Sequence, residues 1–426
     1  MAAEQPLSPD GIDFSDPGFW ARPLRDREAA FASLRRQRSA PFYAVTENLG
    51  AGLGSGGYYL LTRHADVLEV SRRPKIFSSA SGIRIADKPE EFFEVFDSMI
   101  EMDDPRHARH RRIVSRAFTP RMIQRFTDDV ELTAAGIVDA VADRGSCDFV
   151  AEIAARLPLK IICDLMGIDD KDQGFVFERT NRILGADDPE YAGEPGASGA
   201  TMLHAANELA ALVQELARSR AARPTDDLTS ALVNANIDGE KLTWQELASF
   251  FVLLVIAGNE TTRNAISHGL KLLTEHPDQK ARWQSDFERY APGAVEEIVR
   301  VASPVIYMRR SLTQDYETAA GQRFKEHDKV VMVYWSANRD ETVFDDPHRF
   351  DITRDPNPHV GFGAAGPHFC LGAHLARREI TVMFRELFRK LPDIRAAGEP
   401  DRLQSNFING IKRLPCEFTP TLSTGS

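Results

Sequence analysis

The stretch HVGFGAAGPHFCLGAHLARRE, residues 359–379, holds one of only four cysteines in 426 residues. Gly366 and Gly372 bracket Cys370, and glycine lets backbone approach a bulky planar group. A helix-like run begins directly after the cysteine, so its sulfur would lie among backbone N–H groups at a positive helix end. Both features favour thiolate over thiol. Such a thiolate can attack a carbon or bind a metal. His368 is near enough to serve as a base, but no Asn or Asp stands in an obvious position to orient it. Cys147, Cys163 and Cys416 are scattered and form no CxxC pair, which argues against a disulfide framework or a structural zinc site. Each of the three reads as a small buried hydrophobe.

The totals set broad bounds. Hydrophobic residues make up 42% and charged residues 27%, the balance of a globular protein with a sizeable core. A net charge of −11 excludes indiscriminate nucleic-acid binding. The N-terminal MAAEQPLSPDGIDFSDPGFW is polar and acidic, without the layout of a signal peptide. The apolar run FFVLLVIAG (250–258) falls well short of the roughly 20 residues of a membrane span. These features predict a cytoplasmic protein with no membrane-spanning segment. Against the acidic average, RHARHRRIVSRAFTPRMIQR (106–125) carries seven arginines and two histidines and no carboxylate. It reads as a solvated face, a clamp on a buried anion or a docking surface for an acidic partner.

Helical periodicity dominates, over 125–142, 149–166, 171–184, 200–222, 243–275, 291–302 and 371–391. Strand-like stretches are short: 57–62, 307–313, 329–335 and 407–418. The chain therefore predicts a mostly α protein with small β-sheets set aside, an α+β layout. No linker divides it, so residues 1–426 read as one domain. The loop GADDPEYAGEPGASGA (185–200) has the composition of a mobile lid. The longest helix opens with Thr243 and Glu246 at capping-box spacing and closes before Pro277, a rod of about 48 Å. Its apolar middle contains AGNETT (257–262), which predicts a local break where Glu260 and Thr261 meet a small ligand.

Four motifs together carry a resemblance. FGAAGPHFCLG (362–372) resembles the haem-binding loop of the cytochrome P450 superfamily, in which the cysteine is the axial ligand of haem iron. The family's phenylalanine usually stands seven residues before the cysteine; Phe362 stands eight before Cys370, so this loop carries one extra residue. EEIVR (296–300) is similar to the family's ExxR element, with Glu297 and Arg300 one helical turn apart, and FDITR supplies Arg354 as its third member. AGNETT resembles the oxygen-binding helix, with Glu260 and Thr261 as acid–alcohol pair. DDPRHARHR places His107 and Arg111 where the family holds haem propionates, as Arg310 and His368 also do.

The resemblance implies a haem b monooxygenase with a long central helix over the haem. Cys370 would be the metal ligand, with Ala257, Phe362, Gly363 and Gly372 against the cofactor. Glu260 and Thr261 would deliver protons, while Glu297, Arg300 and Arg354 would be structural. Electrons would come from NAD(P)H through a reductase and a ferredoxin or flavodoxin docking near 106–125, because the chain holds no G-x-G-x-x-G fingerprint. Ile83, Ile85, Val305 and Phe407 would line a pocket for an apolar small molecule. At finer grain the motifs and the extra loop residue resemble an actinobacterial branch that hydroxylates terminal methyl groups of methyl-branched lipids and sterol side chains. Terpenoid hydroxylation is the near alternative. A peroxide-driven relative, a non-catalytic haem-thiolate protein and a cysteine hydrolase are more distant ones.

Overall fold

In a computed structural model, residues 12–20, 22–44, 57–88, 92, 96–117, 120–193, 198–235 and 241–421 are described. The helix Trp244–Glu275 organises them. Thr243 accepts a bond from the Glu246 N–H at 3.1 Å, and the Glu246 carboxylate accepts one from the Thr243 N–H at 2.8 Å. This is the capping box the spacing predicts. Glu246 also takes His110 at 2.9 Å and Arg109 at 3.0 Å, tying the start of the central helix to the helix Arg106–Ala117.

The central helix joins two apolar cores. Its first half buries Leu247, Phe250, Phe251 and Val255 against Ile162, Met166, Val176 and Leu209. Its second half buries Ala265, Ile266, Leu270 and Leu273 against Ile153, Ile298 and Phe384. Each large side chain so buried stabilises the fold by about 1.5–3 kcal/mol, which outweighs the modest propensity cost of the glycine and threonines between the halves. The predicted break at AGNETT is accordingly absent: helix runs through it, and the Thr261 hydroxyl donates to the Ala257 carbonyl at 2.8 Å. That bond is the back-bonding to the preceding turn that threonine makes within a helix.

The main sheet runs in the order Phe42–Ala44, Gly57–Leu61, Lys329–Val333, Tyr307–Leu312, Phe77–Ser78. Only the contact between Gly57–Leu61 and Lys329–Val333 is parallel, with Tyr59 opposite Val330. The strand expected over 329–335 ends at Val333 because Tyr334–Ala337 turns into a buried helical segment. The expected strand 407–418 divides into Ile411–Arg413 and Pro415–Glu417, and Ile408 keeps a single bridge to Val305. The helix expected from 291 begins at Phe287, so Pro292 sits inside it. The helices Leu24–Arg35 and His64–Ser71, which the periodicity did not single out, pack beside the sheet's start.

Two further expectations change. Cys147 and Cys416, far apart in sequence, face each other across paired strands with their Sγ atoms 3.4 Å apart and both thiols free. They are not independent buried hydrophobes: Cys416 holds the Cys147 thiol below its usual range, and Cys147 holds that of Cys416 above it. The loop read as a mobile lid is tied down over its described part, 185–193. Asp188 is fully buried there, accepts from the Gln404 N–H at 2.8 Å and lies 3.2 Å from Lys412 Nζ. Residues 194–197 lie outside the described set.

On the helix Ala373–Lys390, Glu379 is buried and its Oε2 has no hydrogen-bond partner. Burial raises its pKa from 4.5 to about 8. The folded state thus keeps the proton longer than the unfolded one, and stability should fall as pH rises between those values. Thermal denaturation of Glu379→Gln at pH 5 and pH 8 should show a smaller loss between the two than the wild type shows. An equal loss would contradict the assignment.

Candidate active site

The loop around Cys370 is built by local sterics. Gly363 has φ +83°, a conformation that L side chains rarely adopt. A Cβ on Gly366 would lie 2.3 Å from the Ser71 carbonyl oxygen, so the loop can press against the helix His64–Ser71 only with glycine there. The Cys370 N–H donates to the Phe362 carbonyl at 2.9 Å, closing the loop on itself. Arg377, from the helix that follows, lies 4.3 Å from the centre of the Phe362 ring and binds Glu296 through two bonds of 2.5 and 3.0 Å. His359 reaches the same carboxylate at 2.9 Å.

Beneath this loop, Glu297 and Arg300 have no solvent exposure. Arg300 donates two 2.8 Å bonds to Glu297 and one each to the carbonyls of Asn338 and Pro347. Arg354 approaches Glu297 to 3.3 Å, and Asn357 Nδ2 donates to it at 3.1 Å. Asn338 passes the order on, its Oδ1 accepting from the Val360 N–H at 2.7 Å. The three residues expected as structural are thus together, and they connect by bonds to the cysteine loop.

Cys370 is exposed, yet burial raises its thiol pKa, a combination expected of a side chain facing an internal hollow. The Gly372 N–H, Arg111 and Arg377 pull in the other direction but do not prevail. The expectation of an intrinsically favoured thiolate is therefore corrected: the helix end and N–H groups assist, and burial outweighs them. Coordination to a metal deprotonates a thiol outright.

The residues expected to hold carboxylates also gather. The rings of His107 and His368 are 4.4 Å apart, and Arg310 is buried with one donor on the Arg309 carbonyl. Asp104 stands 3.7 Å from His107, but no carboxylate among the described residues lies within ion-pair distance of Arg310 or His368. Burial first, then Arg310 and its neighbours, lowers the His368 pKa to about 3. Ser79, which sequence reasoning missed, reaches His368 Nε2 at 3.1 Å. Arg111 turns two donors to the Pro367 and Phe369 carbonyls, at 2.9 and 3.0 Å, so it clamps the cysteine loop as well as facing the cluster.

This donor set fits haem. The buried Arg310, with no carboxylate partner among the described residues, suits an acidic edge, the Cys370 sulfur suits iron, and a Cβ on Gly372 would meet no protein atom within 4 Å. On the central helix Ala257 is exposed between half-buried Ile256 and Gly258, and Thr261, one turn on, is half-exposed. Glu260 does not share that face. It is 1% exposed, with Oε1 accepting from Arg263 and, at 3.0 Å, from Asn264, while its Oε2 has no partner.

Ile83, Ile85, Val305 and Phe407 fall in one apolar cluster with Ile256, the residue before Ala257. The sequence-derived pocket residues are therefore brought together. Among the basic residues of 106–125, Arg106 pairs with Asp97 at 2.9 Å and Arg109 with Glu246, so these are held within the chain. The side chains of 116–125 lie outside the described set.

The sequence pattern of the family described as Cytochrome P450 matches residues 201–392. A methyl-branched lipid omega-hydroxylase of Mycobacterium tuberculosis is 50% identical over 413 residues, covering 96% of this chain and 95% of that one. The chain belongs to the cytochrome P450 family. A steroid C26-monooxygenase of Mycobacterium bovis is 40% identical, covering 97% of this P450 and 94% of that protein. A solved Mycobacterium marinum cytochrome P450 in complex with pseudoionone superposes with a TM-score of 0.91 at 42% identity, covering 98% of this chain and 100% of that one. The protein is a P450 monooxygenase with the mostly α fold that its motifs imply, and the family implies haem iron. No helix among the described residues is long and apolar enough to cross a membrane.

In this P450, Glu297→Ala would leave Arg300 buried without its partner. Breaking a buried pair in this way costs about 3–5 kcal/mol. Denaturant unfolding of the variant should show that loss together with a lowered haem content. A loss below about 1 kcal/mol, the scale of an exposed pair, would contradict the brace.

Proposed function

We propose that this P450 hydroxylates the terminal methyl group of a methyl-branched lipid or of a sterol side chain. The reading is carried by the apolar wall of Ile83, Ile85, Ile256, Val305 and Phe407 beside Ala257 and Thr261, and the names of the two mycobacterial relatives support it. Terminal C–H bonds are stronger than internal ones. Attack there requires walls that present only the chain end, and branched aliphatic side chains complement such walls.

Haem b is the cofactor we assign, and thiolate-held haem iron supplies activation of O2 and insertion of one oxygen atom into a C–H bond. Cys370 would ligate the iron. Arg310, His107, His368 and the remaining N–H groups of Arg111 would hold the two propionates through charge-assisted bonds. Phe362, Gly363, Gly372 and Ala257 would bound the ring. Thr261 Oγ1 would hold and pass protons, and Glu260 would supply them through its unpartnered Oε2. Glu260 faces Arg263 and Asn264, so supply requires its side chain to turn or a chain of donors to bridge the two faces.

Bacterial P450s take electrons from redox partners. We assign a ferredoxin or flavodoxin with an NAD(P)H-dependent reductase, docking near 106–125. Arg111 sets this helix against the cysteine loop, and Phe369 of that loop is 38% exposed. The chain would act as one domain over residues 1–426 in the cytoplasm.

The test uses a methyl-branched fatty acid, NADPH and a surrogate ferredoxin–reductase pair. Mass spectrometry should find the terminal alcohol; an exclusively internal alcohol would contradict the reading, and turnover of terpenoids alone would favour the alternative. Thr261→Ala should lower product formation on the order of 10²-fold, the worth of a positioned proton donor, with NADPH oxidation yielding hydrogen peroxide instead. Unchanged coupling would remove Thr261 from proton delivery.

A further inference from the structure

We propose that Arg84 recognises a carboxylate head group on the lipid substrate, so that the opposite, methyl end of the chain is presented to the oxidising centre. The inference rests on the lipid-hydroxylase reading and adds a substrate class to it.

Arg84 sits between two of the pocket-wall residues, Ile83 and Ile85. The Ile83 carbonyl accepts from the Arg309 N–H at 2.9 Å, and the Ile85 N–H donates to the Tyr307 hydroxyl at 3.2 Å. The backbone on both sides is therefore fixed to the strand Tyr307–Leu312. From this anchored position the half-buried Arg84 guanidinium lies over the Phe407 ring, 4.8 Å from its centre. Phe407 in turn packs edge-on against Tyr307 at 5.3 Å, within the apolar cluster that includes Ile256.

The neighbouring cations differ from it. Arg309 binds Asp87 at 2.6 Å and the Ser81 carbonyl, Lys329 binds Asp87 at 2.7 Å, and Lys88 binds Glu101 at 2.5 Å. Among the described residues Arg84 makes no hydrogen bond and no ion pair; it stacks on Phe407, and its charge acts on the Tyr307 hydroxyl. Asp187, whose charge also reaches Tyr307, is exposed and beyond ion-pair distance of Arg84. Stacking orients a guanidinium without using its N–H groups, which stay free for bidentate bonds to a planar anion. A carboxylate meets that geometry, and the apolar wall beside it accepts the hydrocarbon of the same molecule. A lipid acid so held by its head extends its methyl terminus away from Arg84, which supplies a physical reason for terminal attack.

The test titrates the full-length haem protein with isopalmitic acid and with its methyl ester, following the ligand-induced shift of the haem absorption. Wild type should bind the acid about tenfold more tightly than the ester, the scale of a hydrogen-bonded charge. Arg84→Gln should narrow that preference to within about twofold, and Arg84→Lys, which keeps the charge, should retain most of it. Equal affinity of wild type for acid and ester, or an acid preference undiminished in Arg84→Gln, would overturn the head-group inference and leave the lipid reading standing. A wild type that binds neither compound would sink the lipid reading and this inference with it.

Discussion

A carboxylate and a guanidinium with no access to water set the geometry of this active site. Glu297 and Arg300 contribute little net stability as a pair, because removing two charges from water costs about as much as their attraction returns. Their value is positional. Each is saturated by further bonds, to Arg354, Asn357 and the carbonyls of Asn338 and Pro347, so only one arrangement of these segments satisfies both charges. Through Asn338 and Val360 that arrangement reaches the loop whose last residue is Cys370. A flexible loop could not hold a sulfur at a metal; a loop fixed to a buried ion pair can.

On that foundation the site has two chemical ends. One is basic: Arg310 is buried there beside His107 and His368 with no carboxylate within ion-pair distance of it among the described residues, a costly arrangement unless an anionic group completes it. The other is apolar, where the central helix meets the Ile83–Ile85 loop and Phe407. The central helix bridges the two ends, and its uninterrupted run through AGNETT keeps Ala257 and Thr261 on one face and Glu260 on another. Acid and alcohol are neighbours in sequence but lie about 100° apart around the helix axis, so proton delivery depends on the polar cluster of Glu260, Arg263 and Asn264 as well as on the motif.

What could be read beforehand follows from range. The long helix, its capping box and the helix bearing Glu297 and Arg300 are local patterns, legible from spacing alone. The haem loop was legible because its glycines and cysteine are consecutive. Contacts between distant segments were not: Glu296 with Arg377 and His359, Ser79 with His368, and the Cys147–Cys416 pair all join residues that no local pattern relates. Composition misread 185–193, because Asp188 is an acid that the fold buries against Lys412 and composition counts it as solvent-facing. The break predicted at AGNETT does not appear, because apolar packing of the helix on both sides of it outweighs the local cost of glycine and threonine.

The central claim is that this braced loop presents Cys370 as the thiolate ligand of haem iron. Its most direct test is the absorption spectrum of the reduced protein with and without carbon monoxide. The account predicts a strongly red-shifted Soret band for the carbon monoxide complex, and its loss in Cys370→His. A short-wavelength band in the wild type would show protonated or displaced sulfur and contradict the claim, as would a red-shifted band that persists when Cys370 is replaced.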